Sequence, residues 1–168
     1  GASGEGIERQ GRGSGTLSFS KELKNLNYSF NGGFSTEYDY RSFNGGFNIG
    51  SSFADDNFTV SFRAQYFADK VKRFDVPNQV IRDFESRNIY ALDLSASQIL
   101  TRRDIISFGV THINQSGALE GTPNTVNVAG TRTHELLPDS RKRFAFPLKW
   151  VHGFTEKLAV HLGYRYYT

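Results

Sequence analysis

The sequence predicts an all-β protein: an antiparallel up-and-down transmembrane β-barrel, with about eight strands in this chain and more in a larger barrel. Three observations predict it. The stretch 58–70, FTVSFRAQYFADK, alternates strictly: Phe58, Val60, Phe62, Ala64, Tyr66 and Ala68 share one side, opposite Thr59, Ser61, Arg63, Gln65, Phe67 and Asp69. A two-residue period is that of a strand with two unlike faces. The stretch is also about twice the usual strand length of ~5–6 residues. Finally, tight connections at 23–25, 54–57, 100–104 and 152–156 alternate with long ones at 71–88 and 117–141, while 38–42 is of middle length. A meander places all tight turns at one end and all long loops at the other, as outer-membrane barrels do.

The elements follow in order. Residues 1–15, GASGEGIERQGRGSG, are Gly-rich and aperiodic, and are expected to be a flexible segment. GRGSG lacks the preceding strand and following helix of a phosphate loop, so it reads as linker. Strands occupy the remainder, 16–168. Leu17 and Phe19 open the first. Leu26, Tyr28, Phe30, Gly32, Phe34 and Thr36 share a face in the second. The phase flips near 39–42, and Phe43, Gly45, Phe47, Ile49 and Phe53 continue the apolar side. After the 58–70 strand come Tyr90, Leu92, Leu94 and Ala96, then Ile106, Phe108 and Val110. Phe144, Phe146, Leu148 and Trp150 form the next face, and Leu158, Val160, Leu162, Tyr164 and Tyr166 the last. Pro147 lies inside a strand and cannot donate to a ladder, so it predicts a bulge or weak pairing.

Composition agrees. Aromatic residues make up 14% of the 168, mean hydropathy is −0.47, and no apolar run approaches the ~18 residues of a membrane helix. Without Cys there is no disulfide frame, thiolate metal site or Cys nucleophile. The net charge of +3 is spread along the chain, with no basic run that would suggest nucleic acid. The chain starts at Gly1 and contains no Met, which is read as a removed leader or a piece of a longer protein.

Lipid explains the long strands. Every backbone N–H and C=O in the hydrocarbon must be paired within protein, which only helices and closed barrels achieve. One strand face then meets lipid and the other the lumen. Tyr38, Tyr40, Tyr66, Tyr90, Trp150, Tyr164 and Tyr166 lie near strand ends and are the expected aromatic girdles. The alternative is a soluble β-sandwich binding module, which also alternates. Its water-facing side would carry Lys and Glu rather than the Ser, Asn, Thr and Gly found.

Arg63, Asp93, Lys149, His161 and Arg165 fall on the expected inner face. They either line a pore and set its charge selectivity or form a salt-bridged plug. His134, Glu135 and Asp139 share one long loop but match no tight metal motif, and read as solvated loop. No metal and no cofactor is expected. His112 and His161 lie on strands, yet no nucleophile elbow or carboxylate pair accompanies them, so catalysis by a barrel hydrolase is the lesser alternative.

STEYDYRS (35–42), ELLPDSRKR (135–143) and HLGYRYY (161–167) resemble the recurring blocks of a family of uncharacterised bacterial outer-membrane barrel proteins, known only as a domain of unknown function. In that family a Leu-Pro-x-x-Arg-x-Arg block leads from a long loop into a hairpin ending in Tyr-Arg-Tyr. The matching residues are Leu137, Pro138, Arg141 and Arg143, then Tyr164, Arg165 and Tyr166. The resemblance covers roughly 26–168 and implies fold and location, not mechanism. Family chains continue through further strands.

The expectation is therefore an integral protein of the bacterial outer membrane, acting as a pore, scaffold or assembly component. Its partners would be the lipid bilayer and lipopolysaccharide, with other envelope proteins or further strands of the same protein. If 23–25 and 152–156 are both periplasmic turns, the chain enters and leaves on the extracellular side. At least one strand is then expected before Thr16 and one after Thr168. Thr16–Lys21 and Leu158–Tyr167 should not pair with each other.

Overall fold

The computed structural model describes residues 11–75, 80–119, 125–134 and 137–168. Ten strands appear among them and no helix: β1 (Gly13–Leu23), β2 (Leu26–Thr36), β3 (Tyr40–Phe53), β4 (Phe58–Asp75), β5 (Val80–Ile99), β6 (Asp104–Gly117), β7 (Thr125–Val128), β8 (Thr131–His134), β9 (Ser140–Thr155) and β10 (Leu158–Tyr167). Among the described residues no helix is long and apolar enough to cross a membrane, which has no bearing on strands.

Eight strands form one antiparallel sheet in the order β1-β2-β3-β4-β5-β6-β9-β10. Each strand pairs with its sequence neighbour, apart from the small β7–β8 hairpin inserted between β6 and β9. This is the predicted meander. Connections at 24–25, 54–57, 100–103 and 156–157 share one end, and those at 37–39, 76–79 and 118–139 the other. The sheet is open. Thr16–Lys21 and Leu158–Tyr167 lie on opposite edges and do not pair.

Four expectations about element bounds need correction, the first being the turn at 152–156, where 152–155 belongs to β9 and only 156–157 is left to turn. Residues 71–88 are mostly strand: β4 and β5 run to 18 and 20 residues, paired through Asp75 and Val80 with a register shift near Lys72. Only 76–79 separates them, and these lie outside the described residues. The segment 117–141 holds a strand pair of its own, β7–β8, joined through Ala129 and Gly130, both at positive φ. At the other end, β1 begins at Gly13, so 13–15 belong to the sheet rather than to the flexible segment. Residues 1–10 lie outside the described residues.

Pro147 behaves as its chemistry requires. Pairing of β9 with β10 is intact at Pro147↔Arg165, but pairing with β6 skips from Phe108↔Leu148 to Thr111↔Ala145. The missing N–H is the one that would have faced β6.

The packing is inverted relative to a water-soluble domain. Buried apolar side chains among the described residues amount to Ala96, Ala118 and Ala145. The large ones are exposed: Phe43 is 67% exposed, Phe108 57%, Leu162 55% and Leu94 53%. Cross-strand partners share a face, so the register places Phe30, Phe47, Phe62, Leu94, Phe108, Leu148 and Tyr164 together on one side. No second large sheet covers that side among the described residues, as a sandwich would need.

Candidate functional site

The other side of the sheet is polar and concave. Residues from β3 across to β10 line one hollow of about 350 Å³, from Asn48 and Thr59 to Lys149 and Arg165. A flat sheet would hold those strands too far apart to share a cavity, since neighbours lie ~4.8 Å apart. The sheet therefore curls with its polar face inward.

Arg63, Asp93, Lys149 and Arg165, four of the five residues predicted for the inner face, meet in this hollow. His161 pairs with Val151 one step along β10 from Gly163↔Lys149, on the same face as Arg165 but outside the hollow. Asp93 is held by Thr111, whose hydroxyl donates to Oδ1 at 2.6 Å across the β5–β6 pair. Arg63 is its direct partner across β4–β5. No carboxylate lies within ion-pair distance of Arg63, Lys149 or Arg165 among the described residues. Three cations thus face one carboxylate.

Hydroxyls fill the rest of the wall. Ser61 and Ser95 share a hydrogen bond of 2.8 Å, and Ser97 and Ser107 one of 2.9 Å, each across a cross-strand pair. Gly109 and Pro147 also line the hollow, at the gap in the β6–β9 ladder. Nearer the loop end, the buried Asp69 accepts from Arg87 at 2.7 Å. This second polar cluster tethers β4 to β5.

The aromatic positions divide. Tyr66 and Tyr90 stack at 4.6 Å on the apolar face, and the Tyr66 hydroxyl donates to Asn88 Oδ1 at 2.8 Å. Trp150 donates from Nε1 to Asp104 Oδ1 at 3.1 Å, and His152 Nδ1 lies 2.6 Å from the same oxygen. These two groups sit toward opposite ends of the apolar face, as girdles would. Tyr164 and Tyr166 lie on that face and are exposed. Tyr38 occupies the 37–39 connection, where the Lys72 ammonium sits 4.7 Å from its ring centroid. Tyr40 departs from the expectation. It shares the polar face with Ser42, and its ring lies 5.8 Å from the Arg87 guanidinium.

His112 lies on the apolar face, stacked on Phe144 at 4.4 Å, with a buried Nδ1 that has no hydrogen-bond partner. It lies on the opposite side of the sheet from the hollow and from His161. Glu135 and the His134 side chain, part of the weighed metal reading, lie outside the described residues.

Sequence reasoning passed over three features. The Asp104 cluster joins residues 46 and 48 positions apart, and no local pattern announces it. Arg41 and Lys70 stand side by side at the rim of the apolar face. The third was visible: SFNGGF occurs at 29–34 and again at 42–47. The two copies pair with each other antiparallel, Gly32 opposite Gly45, so Asn31 faces Gly46 and Asn44 faces Gly33. A Cβ at Gly46 would lie 2.5 Å from Asn31 Oδ1. Each Asn side chain lies over the glycine opposite.

A family model described as "Protein of unknown function (DUF3570)" matches residues 4–168. A search of curated proteins finds no match.

Proposed function

From the premise that the chain belongs to the DUF3570 family of proteins of unknown function, we propose that it forms wall strands of an integral outer-membrane β-barrel. The carrying observation is the pairing of two unlike faces on one curled sheet: large apolar side chains exposed outward, polar groups gathered inward. In water, an apolar surface of that extent would drive aggregation. In lipid it is the favourable surface, and the sheet hydrogen bonds satisfy the backbone.

The concave side would line an aqueous lumen. Its cations and hydroxyls suit a pore wall, and no catalytic role is assigned to them. The edges of β1 and β10 favour an assembly reading alongside: in hydrocarbon each would need a strand partner, from the same protein or another envelope protein. Lipopolysaccharide would meet the outer face.

The test contrasts adjacent positions. Phe62 is on the apolar face and Ser61 on the polar one. Phe62→Arg should block insertion, because a basic side chain on the lipid face costs ~2–4 kcal/mol at mid-depth. Ser61→Arg should insert normally. Heat-modifiable gel mobility reads both, and equal behaviour of the two variants would reject the membrane reading.

A further inference from the structure

On the outward face, just beyond the stacked pair Tyr66 and Tyr90, the apolar side chains give way to cations. Arg41 and Lys70 are direct cross-strand partners, and Lys70 in turn faces Ser86 on β5. One step nearer the aromatic pair, Phe43, Ala68 and Asn88 form the neighbouring row. Arg41, Lys70, Ser86 and Asn88 enclose a hollow of about 250 Å³ whose inner end is Phe43 and Ala68. The one carboxylate residue that borders it, Asp69, is buried and turned through the sheet to Arg87. Neither Arg41 nor Lys70 has a carboxylate within ion-pair distance among the described residues. The Arg41 guanidinium rests on the Phe84 ring, 4.5 Å from its centroid, which fixes it without neutralising it.

A second hollow adjoins the first. It measures about 380 Å³ and is mostly apolar, floored by Gly32 and lined by Leu17, Phe34 and Phe43, with Gly15, Thr16 and Gly33 at its margins. Phe43 borders both. Gly32 of the first SFNGGF copy creates the depth: it faces outward between Phe30 and Phe34, and a Cβ there would meet only the Asn44 carbonyl oxygen, at 3.8 Å. A cationic, hydrogen-bonding pocket thus opens into an apolar trough on the same surface. Those two chemistries, in that order, are complementary to an anionic headgroup followed by an acyl chain.

We propose that Arg41, Lys70, Ser86 and Asn88 bind the phosphate of a membrane lipid whose acyl chain lies in the glycine-floored trough. The proposal rests on the membrane reading above and extends it to a named site. Two cations beside a hydroxyl and an amide N–H supply the charge and the donors that phosphate oxygens accept. Their height, immediately beyond the Tyr66–Tyr90 pair, is where lipid phosphates lie relative to an interfacial aromatic belt.

The experiment uses the full chain refolded in neutral detergent, with thermal stability as the readout. It is titrated with bis-phosphorylated lipid A, with the same glycolipid stripped of phosphate, and with inorganic phosphate. Lipid A should raise the Tm, and the other two should not. Arg41→Ala with Lys70→Ala should need about thirtyfold more lipid A for the same shift, from the usual worth of two basic residues at a lipid surface. Lys21→Ala with Lys24→Ala removes the same charge at the opposite end of the sheet and should respond as the wild type does. Heat-modifiable mobility verifies folding, and Arg41→Gln with Lys70→Gln replaces the alanine pair if that pair does not fold. Equal lipid A dependence in all proteins would overturn the site, and so would a shift reproduced by inorganic phosphate. A chain that partitions into vesicles yet shows no lipid A preference sinks this site alone. A chain that fails to partition sinks the membrane reading with it.

Discussion

Gly117 ends β6 with φ near 96°, and a Cβ there would run into the Ser86 carbonyl of the neighbouring strand. Its N–H donates to Asp139 O at 2.8 Å, and the next residue, Ala118, donates to Ser86 O at 3.0 Å. That position therefore steers the chain out of the sheet toward the β7–β8 insert. Gly117→Ala should cost ~1–2 kcal/mol for the left-handed backbone alone, before any clash. Gly163, on the polar face of β10, is surrounded by open space: a Cβ added there would meet nothing within 4 Å. Gly163→Ala should be neutral or stabilise by roughly 0.5 kcal/mol, as expected when Ala replaces Gly inside a strand. Urea unfolding of the refolded protein separates the two, and equal midpoints would contradict the assigned backbone. Pro147 was legible in the sequence because its chemistry is local. Tyr40 was not, because its face depends on where β3 begins relative to the phase change after Thr36.

At the scale of elements, alternation is readable only where lipid would enforce it. From Phe58 to Lys70 the two faces differ sharply, and the strand is plain. Beyond Lys70, β4 and β5 continue as a paired ladder that carries charged residues at both sets of alternate positions. If water lies on both sides there, as the proposed membrane placement implies, no period is selected while the hydrogen bonds remain, and this part reads as loop. The β7–β8 hairpin is hidden for the same reason, although the Ala129–Gly130 pair is the turn signal. Positive φ at both central residues matches the right-handed twist of a two-stranded ribbon. If the long connections are extracellular, an epitope inserted between Ala129 and Gly130 should be labelled on intact cells. One inserted after Arg102, in the 100–103 turn at the other end, should be labelled only after permeabilisation. The opposite result would invert the topology.

For the whole molecule, curvature sets the electrostatics. Arg63 and Arg165 are contributed by strands well separated in the sheet order, yet both line the hollow that Lys149 and Asp93 share. The local excess of cations predicts a lumen that favours anions, since wall charge selects the counter-ion at close range. Channels of the full protein in planar bilayers should pass chloride in preference to potassium. Lys149→Glu with Arg165→Glu should reverse that preference, since three cations and one carboxylate become one cation and three carboxylates. An unchanged reversal potential would remove these residues from the conduction path. Arg87 should not act this way, because Asp69 already neutralises it.

For the eight strands of the large sheet, the sequence by itself determined which side of their regularly alternating part is apolar, how they succeed one another, and which end carries the tight turns. Those properties are set within a few residues, by the two-residue period of the strand and by turn chemistry. It also identified Arg63, Asp93, Lys149 and Arg165 as sharing a face. Only the tertiary structure decided that they share a hollow, that Thr111 holds Asp93, and that Arg41 and Lys70 stand together with Ser86 at the edge of the apolar face. These are matters of register and curl, summed over strands far apart in the chain, and no local pattern encodes a sum.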